Sequence, residues 1–285
     1  MTAPACSAAI DFGGTVTDVV LRREGQDDVL LARPAIGAPT PAAVRGLLAA
    51  AGAVPGSVPE LIAVTGGRSA ALPEEIDGIP VDRVAEPTAI AAGGLETGAR
   101  TPSVVVSMGT GTAIVVATGP GEPRQLVGSG IGGGTLLGLA RLLLGTTDVA
   151  EIGELSSRGR PSGCDLTVGD LLGGGIGPVP AEATASHFAR VGRAAEALPS
   201  REDMAAALTN LVSQAILRLA FEAAIGNAAR SIVLLGHLLD VPGFRESIER
   251  VPRLDRSFLR IAEAPGFAVA RGALAVALAR AGAPQ

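Results

Sequence analysis

The sequence contains no lysine, no tryptophan and no tyrosine, and only two cysteines and two histidines. Without lysine, any cation that touches a bound anion is expected to be one of the 23 arginines or a metal ion. With aromatics at 2%, the core has to be built from Ala, Val, Leu and Ile. Cys6 and Cys164 are far apart and match no metal-ligand spacing, which reads as two reduced thiols. His187 and His237 are too few for a histidine-based metal site. There is no basic cluster and the formal charge is −5, so neither nucleic acid nor an anionic membrane is expected as a partner. The opening MTAPACSAAI lacks the basic start and long apolar stretch of a signal peptide, and no apolar run reaches the roughly 20 residues of a membrane span. A cytoplasmic location follows as an expectation.

What is present is an alternation of strand and helix patterns over 285 residues, enough for a large core and one or two domains. SAAIDF reads as a strand, GG as a turn, and TVTDVVLRRE as a second strand because Val16, Thr17, Val19 and Val20 are β-branched. In dinucleotide-binding and P-loop proteins the glycine turn opens a helix, so a glycine turn between two strands disfavours both. PAAVRGLLAAAG predicts a helix and LIAVTGG a buried strand ending in a turn. After the strand-like VDRV, Glu86 precedes a proline suited to the first helical turn, which puts this carboxylate at a helix entrance. SVVVSM and AIVVAT flank GTGT as a second hairpin, and TLLGLARLLLG follows as a helix. The remainder reads as mostly helical: AEATASHFARVGRAAEAL, REDMAAALTNLVSQAILRLAFEAAIGN and a closing FAVARGALAVALARAG, with SIVLLGHLL as a late strand. A boundary near Arg100 gives an N-terminal lobe, 1–100, and a C-terminal lobe, 101–285.

A glycine turn between strands points several backbone N–H groups into one concavity, and such a nest holds phosphate oxygens. Two of them facing across a cleft would grip a nucleotide tail from both sides. Each hairpin alone also reads as a plain β-turn; the repetition, one copy opening each lobe, favours the phosphate reading. Asp11, just before the first turn, is placed to bind Mg²⁺, since a hard cation takes oxygen ligands.

The motifs IDFGGT (10–15), VTGG (64–67), Glu86 with Gly93, MGTGT (108–112), GIGGGTLLGL (130–139), DLTVGDLLGG (165–174), TASHF (184–188) and LLGHLL (234–239) occur in the order seen in the type II pantothenate kinases, which the chain resembles over nearly its whole length. The resemblance implies an α/β, two-lobed actin-like ATPase (ribonuclease H-like) fold with a duplicated β-hairpin phosphate-binding core. It also implies an ATP- and Mg²⁺-dependent kinase acting on a primary hydroxyl, in a homodimer joined through helices of the second lobe. Carried onto this chain, Asp11 organises the metal; Gly13, Gly14, Thr15, Gly109, Thr110 and Gly111 cradle phosphates; Gly132, Gly133 and Gly134 shape the nucleotide pocket; and Glu86 is the general base. For Glu86 a helix-capping carboxylate is the alternative.

Several positions depart from that family. Asp18 stands where its first hairpin carries a lysine, which makes IDFGGTVTDVVL similar also to the hydantoinase and oxoprolinase ATP-binding proteins, although those are considerably longer chains. Ala113 and Gln125 stand where the family has a serine and an arginine that contact pantothenate, with Arg124 adjacent, and Ala189 replaces a glycine. Three functions stay open: phosphorylation of pantothenate, the entry to coenzyme A; phosphorylation of a related alcohol such as pantetheine or a specialised metabolite; and a non-catalytic nucleotide-binding regulator. A base at the acceptor side argues against the third.

Overall fold

The computed structural model of the chain describes residues 5–54, 57–119, 122–193, 198–249 and 258–282. The first part consists of β1 (Cys6–Phe12), β2 (Val16–Arg23), β3 (Val29–Pro34), α1 (Pro41–Ala50), β4 (Ile62–Thr65), β5 (Glu75–Ile76), β6 (Ile79–Arg83) and α2 (Glu86–Leu95). The second consists of β7 (Ser103–Met108), β8 (Thr112–Ala117), β9 (Arg124–Ser129), α3 (Gly133–Leu144), α4 (Val149–Arg158), β10 (Leu166–Thr167), α5 (Val168–Leu172), β11 (Thr184–Ser186), α6 (Arg201–Gly226), β12 (Ser231–Leu235), α7 (Phe244–Glu249), β13 (Leu259–Ile261) and α8 (Ala268–Gly282).

The two large sheets repeat one topology. Strand order is β3-β2-β1-β4-β6-β5 in one and β13-β12-β7-β8-β9 in the other. In each, an antiparallel three-stranded meander is extended by two parallel strands, β4 and β6 beside β1, and β12 and β13 beside β7. The two glycine turns therefore occupy equivalent places, each joining the first two strands of its sheet.

Alternation along the strands sorts the core into layers. Ile10, Val19, Leu21, Ile62 and Val64 turn outward to Val44, Leu47 and Leu48 of α1. Ala9, Val20 and Ala63 face the other way, where Ala89 and Ile90 of α2 and Ala270, Ala273 and Leu274 of α8 separate them from Val105, Val115 and Val233 of the second sheet. The far side of that sheet packs Val104, Val106 and Ile114 on Leu136, Ile152, Leu208 and Ile216. Small residues let α2 and α8 fit between two sheets. A Cβ on Gly93 would lie 2.1 Å from the Ala268 carbonyl oxygen, and one on Gly272 would lie 2.1 Å from that of Ala89.

Helix starts follow local chemistry. Thr40 accepts a hydrogen bond from Ala43 N at the head of α1, and Ser200 accepts one from Asp203 N at the head of α6. α6 is 26 residues long and apolar enough, by length and composition, to cross a membrane, in contrast to the expectation that no apolar run reaches that length; 61% of its most apolar stretch is buried within the fold.

One expected helix is overturned. Within AEATASHFARVGRAAEAL, whose residues 194–197 lie outside the described set, the structure has a short strand, β11, followed by turns. The cause is the fully buried Asp165, whose carboxylate accepts hydrogen bonds from Phe188 N at 2.9 Å and Thr184 Oγ1 at 3.0 Å and lies 3.2 Å from His187 Nδ1. Phe188 takes φ 55° as the chain wraps this side chain. Alanine content favours a helix, but a buried carboxylate that must be solvated by its neighbours outweighs that preference.

Candidate active site

The two glycine turns meet. Thr15 Oγ1 and Thr110 Oγ1 lie 2.7 Å apart, and a Cβ on Gly14 would come within 2.8 Å of Thr110 Oγ1. Gly14, Thr15, Gly109 and Thr110 are exposed at this junction, with Gly13 and Gly111 half-buried beside them. The glycine run before α3 forms the foundation of the second turn. Gly133 N donates to Gly109 O at 2.8 Å and Gly134 N to Thr110 O at 2.9 Å, while a Cβ on Gly132 would sit 2.7 Å from Thr110 O. Gly132, Gly133 and Gly134 thus act by letting the start of α3 press against the turn, and two of their N–H groups are already spent on it.

Behind the first turn lies a group of carboxylates. Asp11 and Asp18 are register partners across β1 and β2, so their side chains share one sheet face. Gly66, at φ 86°, packs the end of β4 against them; a Cβ there would be 2.8 Å from Asp11 Oδ1. Burial pushes the Asp11 carboxyl up to about 7, the charges of Asp18 and Glu86 add to that, and His237 opposes it. Thr65, the register partner of Asp11 on β4, is fully buried, and its hydroxyl has no hydrogen-bond partner among the described residues. A half-buried carboxylate with an orphan hydroxyl on the same face offers oxygen donors that fit a hydrated hard cation such as Mg²⁺.

Glu86 is the first residue of α2, exposed, with Pro87 behind it; Ala85 stands at the N-cap and supplies no side-chain hydrogen bond. Its charge nonetheless reaches Asp11. Ala113 and Gln125 lie on neighbouring strands, Ala113 opposite Gly128 and Gln125 opposite Val115. Ala113 packs, with Val115, on the face toward α2. Gln125 is three rungs of β8 from Thr112, about 10 Å at strand rise. Arg124, one residue away, is hydrogen-bonded to Asn227 Oδ1 at 2.5 Å, at the end of α6.

The residue that sequence reasoning missed is His237. It follows Gly236 at the end of β12, and its ring lies between two carboxylates, Nε2 2.8 Å from Asp18 Oδ1 and Nδ1 3.0 Å from Asp240 Oδ2. Both nitrogens face acceptors, so the ring donates from both and is a cation. Burial disfavours its charge, but the hydrogen bonds to Asp18 and Asp240 outweigh burial and push its pKa up to about 10. A histidine thus supplies positive charge at the site, paired with the protein's own carboxylates. The LLGHLL stretch was the available signal; the partner carboxylate on β2 lies 219 residues earlier.

This cation gives the protein an alkaline signature. A histidine raised above its unfolded value of about 6.5 contributes stability that is fully present below that pH and is lost as pH rises through its folded value. For His237 the loss runs from about 6.5 to about 10. The sequence has no lysine or tyrosine to mask it. The buried thiols of Cys6 and Cys164, both pushed up by burial, the latter to about 12, titrate with the same sign. Melting temperature is therefore expected to fall by several degrees between pH 7 and pH 10.5, and to fall distinctly less in His237→Gln. Parallel pH curves for the two proteins would assign the decline to the thiols.

Residues 91–244, more than half of the chain, match the Fumble family; Asp11, the first turn and Glu86 precede the matched residues. Pantothenate kinase 1 of Oryza sativa subsp. japonica is 41% identical over 123 residues, covering 42% of this chain and 18% of that protein. A type II pantothenate kinase of Oceanobacillus iheyensis is 31% identical over 182 residues, covering 62% of this chain and 66% of its own length. Among solved structures, the activator of the 2-hydroxyisocaproyl-CoA dehydratase from Clostridium difficile with bound ADPNP aligns with a TM-score of 0.65 at 16% identity, over 97% of this chain and 95% of that one. A ROK family glucokinase from Streptomyces griseus in complex with glucose and AMPPNP aligns with a TM-score of 0.55 at 17% identity, over 97% and 100%. These structures establish the expected two-lobed actin-like ATPase and sugar-kinase fold, which the duplicated sheets express. With that fold and the match across α2 to α7, the chain belongs to the Fumble family of type II pantothenate kinases.

Proposed function

We propose that the protein is a Mg²⁺- and ATP-dependent kinase that phosphorylates the primary hydroxyl of pantothenate, the first step toward coenzyme A, in the cytoplasm. The observation that carries the reading is the meeting of the two turns at Thr15 and Thr110, with Asp11 behind one of them and Glu86 exposed at the head of α2. Backbone N–H groups of Gly13, Gly14, Thr15, Thr110 and Gly111 would receive the phosphate oxygens, Gly109 would close the second turn through its N–H donated to Gly111 O at 2.9 Å, and Asp11 would hold the metal complex. Mg²⁺, when bound, would supply positive charge against the polyphosphate tail. Glu86 would take the acceptor's hydroxyl proton as that oxygen attacks the γ-phosphorus and the bond to ADP breaks. Positioning and charge stabilisation supply most of the rate in such transfers.

The test is the Asp11→Asn variant with and without Mg²⁺. Wild-type protein is expected to bind ATP at least tenfold more tightly with Mg²⁺, because three carboxylates around one imidazolium repel a bare polyanion. In Asp11→Asn that metal advantage and turnover should fall together. Calorimetric titration that finds equal ATP affinity with and without Mg²⁺ in the wild type would remove Asp11 from the metal role.

A related neutral alcohol is the second reading. Ala113 and Gln125 present no charge to pantothenate's carboxylate, and Arg124 is engaged with Asn227. A buried carboxylate without a cation is poorly compensated, whereas pantetheine carries none. The pantetheine to pantothenate ratio of kcat/KM is expected to exceed one and to fall about tenfold in Ala113→Ser with Gln125→Arg, one charged hydrogen bond's worth. Pantothenate turnover that is efficient and survives Arg124→Ala would exclude the altered pocket. No turnover of any alcohol would favour the regulator.

A homodimer is part of the same proposal. A cleft of about 1050 Å³ lies against α6, lined by Leu217, Phe221 and Ile225 among others, and Leu171, Leu172, Ile176 and Ile225 are exposed. A second copy would cover such apolar surface.

A further inference from the structure

We propose that His237 is a positioning residue of the phosphate site: it ties Asp18 on the first hairpin to the loop after β12, holding that carboxylate away from the metal that Asp11 binds and keeping the two glycine turns in contact. The inference rests on the metal-binding role assigned to Asp11 above. Six contacts carry it. His237 Nε2 lies 2.8 Å from Asp18 Oδ1, and its other nitrogen lies 3.0 Å from Asp240 on its own loop, so Asp18 is bound to the second sheet's loop and not merely near it. The ring is slotted against backbone: a Cβ on Gly266 would lie 2.2 Å from its Cε1, and Phe267 meets it edge-on at 5.5 Å between ring centres. The preceding Gly236, at φ 105°, is pressed onto the strand that carries the second turn, where a Cβ would lie 2.2 Å from Met108 O. Thr15, three residues before Asp18, and Thr110, two after Met108, then meet 2.7 Å apart.

The consequence for metal chemistry follows from the register. Asp11 and Asp18 sit opposite one another on adjacent strands, near enough for both to ligate one cation if Asp18 were free. Two carboxylates on one ion would bind the metal tightly without nucleotide. An imidazolium on Asp18 leaves Asp11 as the single carboxylate, and the remaining positions of the ion open to water and phosphate. His237 thus does for this site what a cationic side chain at position 18 cannot, since position 18 is itself an aspartate.

The experiment is direct metal binding by the full chain, with Mn²⁺ alone followed by its electron paramagnetic resonance signal, together with kcat and KM for Mg²⁺·ATP. Asp18→Asn is expected to leave Mn²⁺ affinity within about threefold of wild type, because Asp18 is not a ligand. His237→Ala is expected to raise Mn²⁺ affinity about tenfold or more, lower kcat about tenfold, and lose the gain in metal affinity when Asp18→Asn is added. His237→Gln, which keeps one N–H for Asp18, should lie between. A tenfold loss of Mn²⁺ affinity in Asp18→Asn would overturn the proposal by showing Asp18 to be a ligand already. Unchanged Mn²⁺ affinity in a folded His237→Ala would overturn it too, and if that variant does not fold, Asp18→Asn still decides. Should the wild type phosphorylate no alcohol, the Mn²⁺ results stand independently; should Asp11→Asn leave Mn²⁺ binding intact, it is the assignment of Asp11 that fails.

Discussion

Replacing Glu86 by glutamine is expected to cut turnover by about 10²–10⁴, the usual contribution of a general base, while ATP affinity stays within about twofold. Glutamine keeps the length of the side chain and can still hydrogen-bond the acceptor hydroxyl, but it cannot take the proton. The structure makes this substitution unusually clean. Glu86 is exposed at the first position of α2, it follows an N-cap, Ala85, that supplies no side-chain hydrogen bond, and its backbone is held by Pro87 and by the helix behind it. The loss of a negative charge at a helix start costs no more than about 1 kcal/mol, so stability should barely change. A second effect runs in the opposite direction: the charge of Glu86 helps keep the Asp11 carboxyl high, and its removal eases ionisation of Asp11. Metal-nucleotide binding should therefore be preserved or slightly improved as turnover collapses. Steady-state kinetics with calorimetric ATP titration separates the two quantities, and a variant that keeps most of its turnover would return Glu86 to a structural carboxylate.

What the sequence made legible was the part of the fold in which local chemistry and tertiary role agree. Glycine and threonine between β-branched runs become the two hairpins, Pro87 opens α2, and Thr40 caps α1. Edge strands were not legible. β3 is largely exposed and ends in proline, and β9 is largely exposed around its glycine, so neither carries the alternation that marks a half-buried strand; pairing with β2 and β8 makes them strands. Asp165 shows the same limit from the other side, since a single buried carboxylate set the path of an alanine-rich segment. At the candidate site, Asp11 and Glu86 were visible because each sits beside a recognisable turn or helix start. Asp18 was visible only as a departure, because its partner His237 comes from the other end of the chain. The glycines at 132–134 were visible as a run, but their hydrogen bonds to the second turn are a property of close approach that composition does not encode.

Gly93→Ala is expected to lower both stability and turnover steeply, because Gly93 sets where Glu86 stands. Helix propensity alone predicts the opposite, a gain of roughly 1 kcal/mol for alanine over glycine in a helix interior. Packing decides the sign. The added Cβ would lie 2.1 Å from the Ala268 carbonyl oxygen and 2.8 Å from its carbon, both backbone atoms, and no rotamer can relieve that contact. α8 cannot yield easily either, since Gly272 one turn on already abuts the Ala89 carbonyl, and the helix pair is enclosed by both sheets. Separating the axes by the ångström or more required leaves gaps along a buried seam, and overpacking of this kind costs typically about 1–3 kcal/mol and occasionally more. Against the propensity gain of roughly 1 kcal/mol, the upper end of that range leaves a net loss of roughly 2 kcal/mol, which lowers the melting temperature by about 3 °C in a chain of this size. Turnover should fall further than stability does. Glu86 is two helical turns before Gly93 on the same rigid element, and an ångström of misplacement at a reacting group can cost about 10²-fold. Gly46→Ala in α1 is the matched control: that glycine is exposed with nothing near its missing Cβ, so propensity should prevail and raise stability by up to roughly 1 kcal/mol with turnover unchanged. Thermal melts and kcat for the two variants side by side test the claim. A Gly93→Ala protein as stable and as active as Gly46→Ala would mean that the contact between α2 and α8 relaxes at no cost and does not position the base.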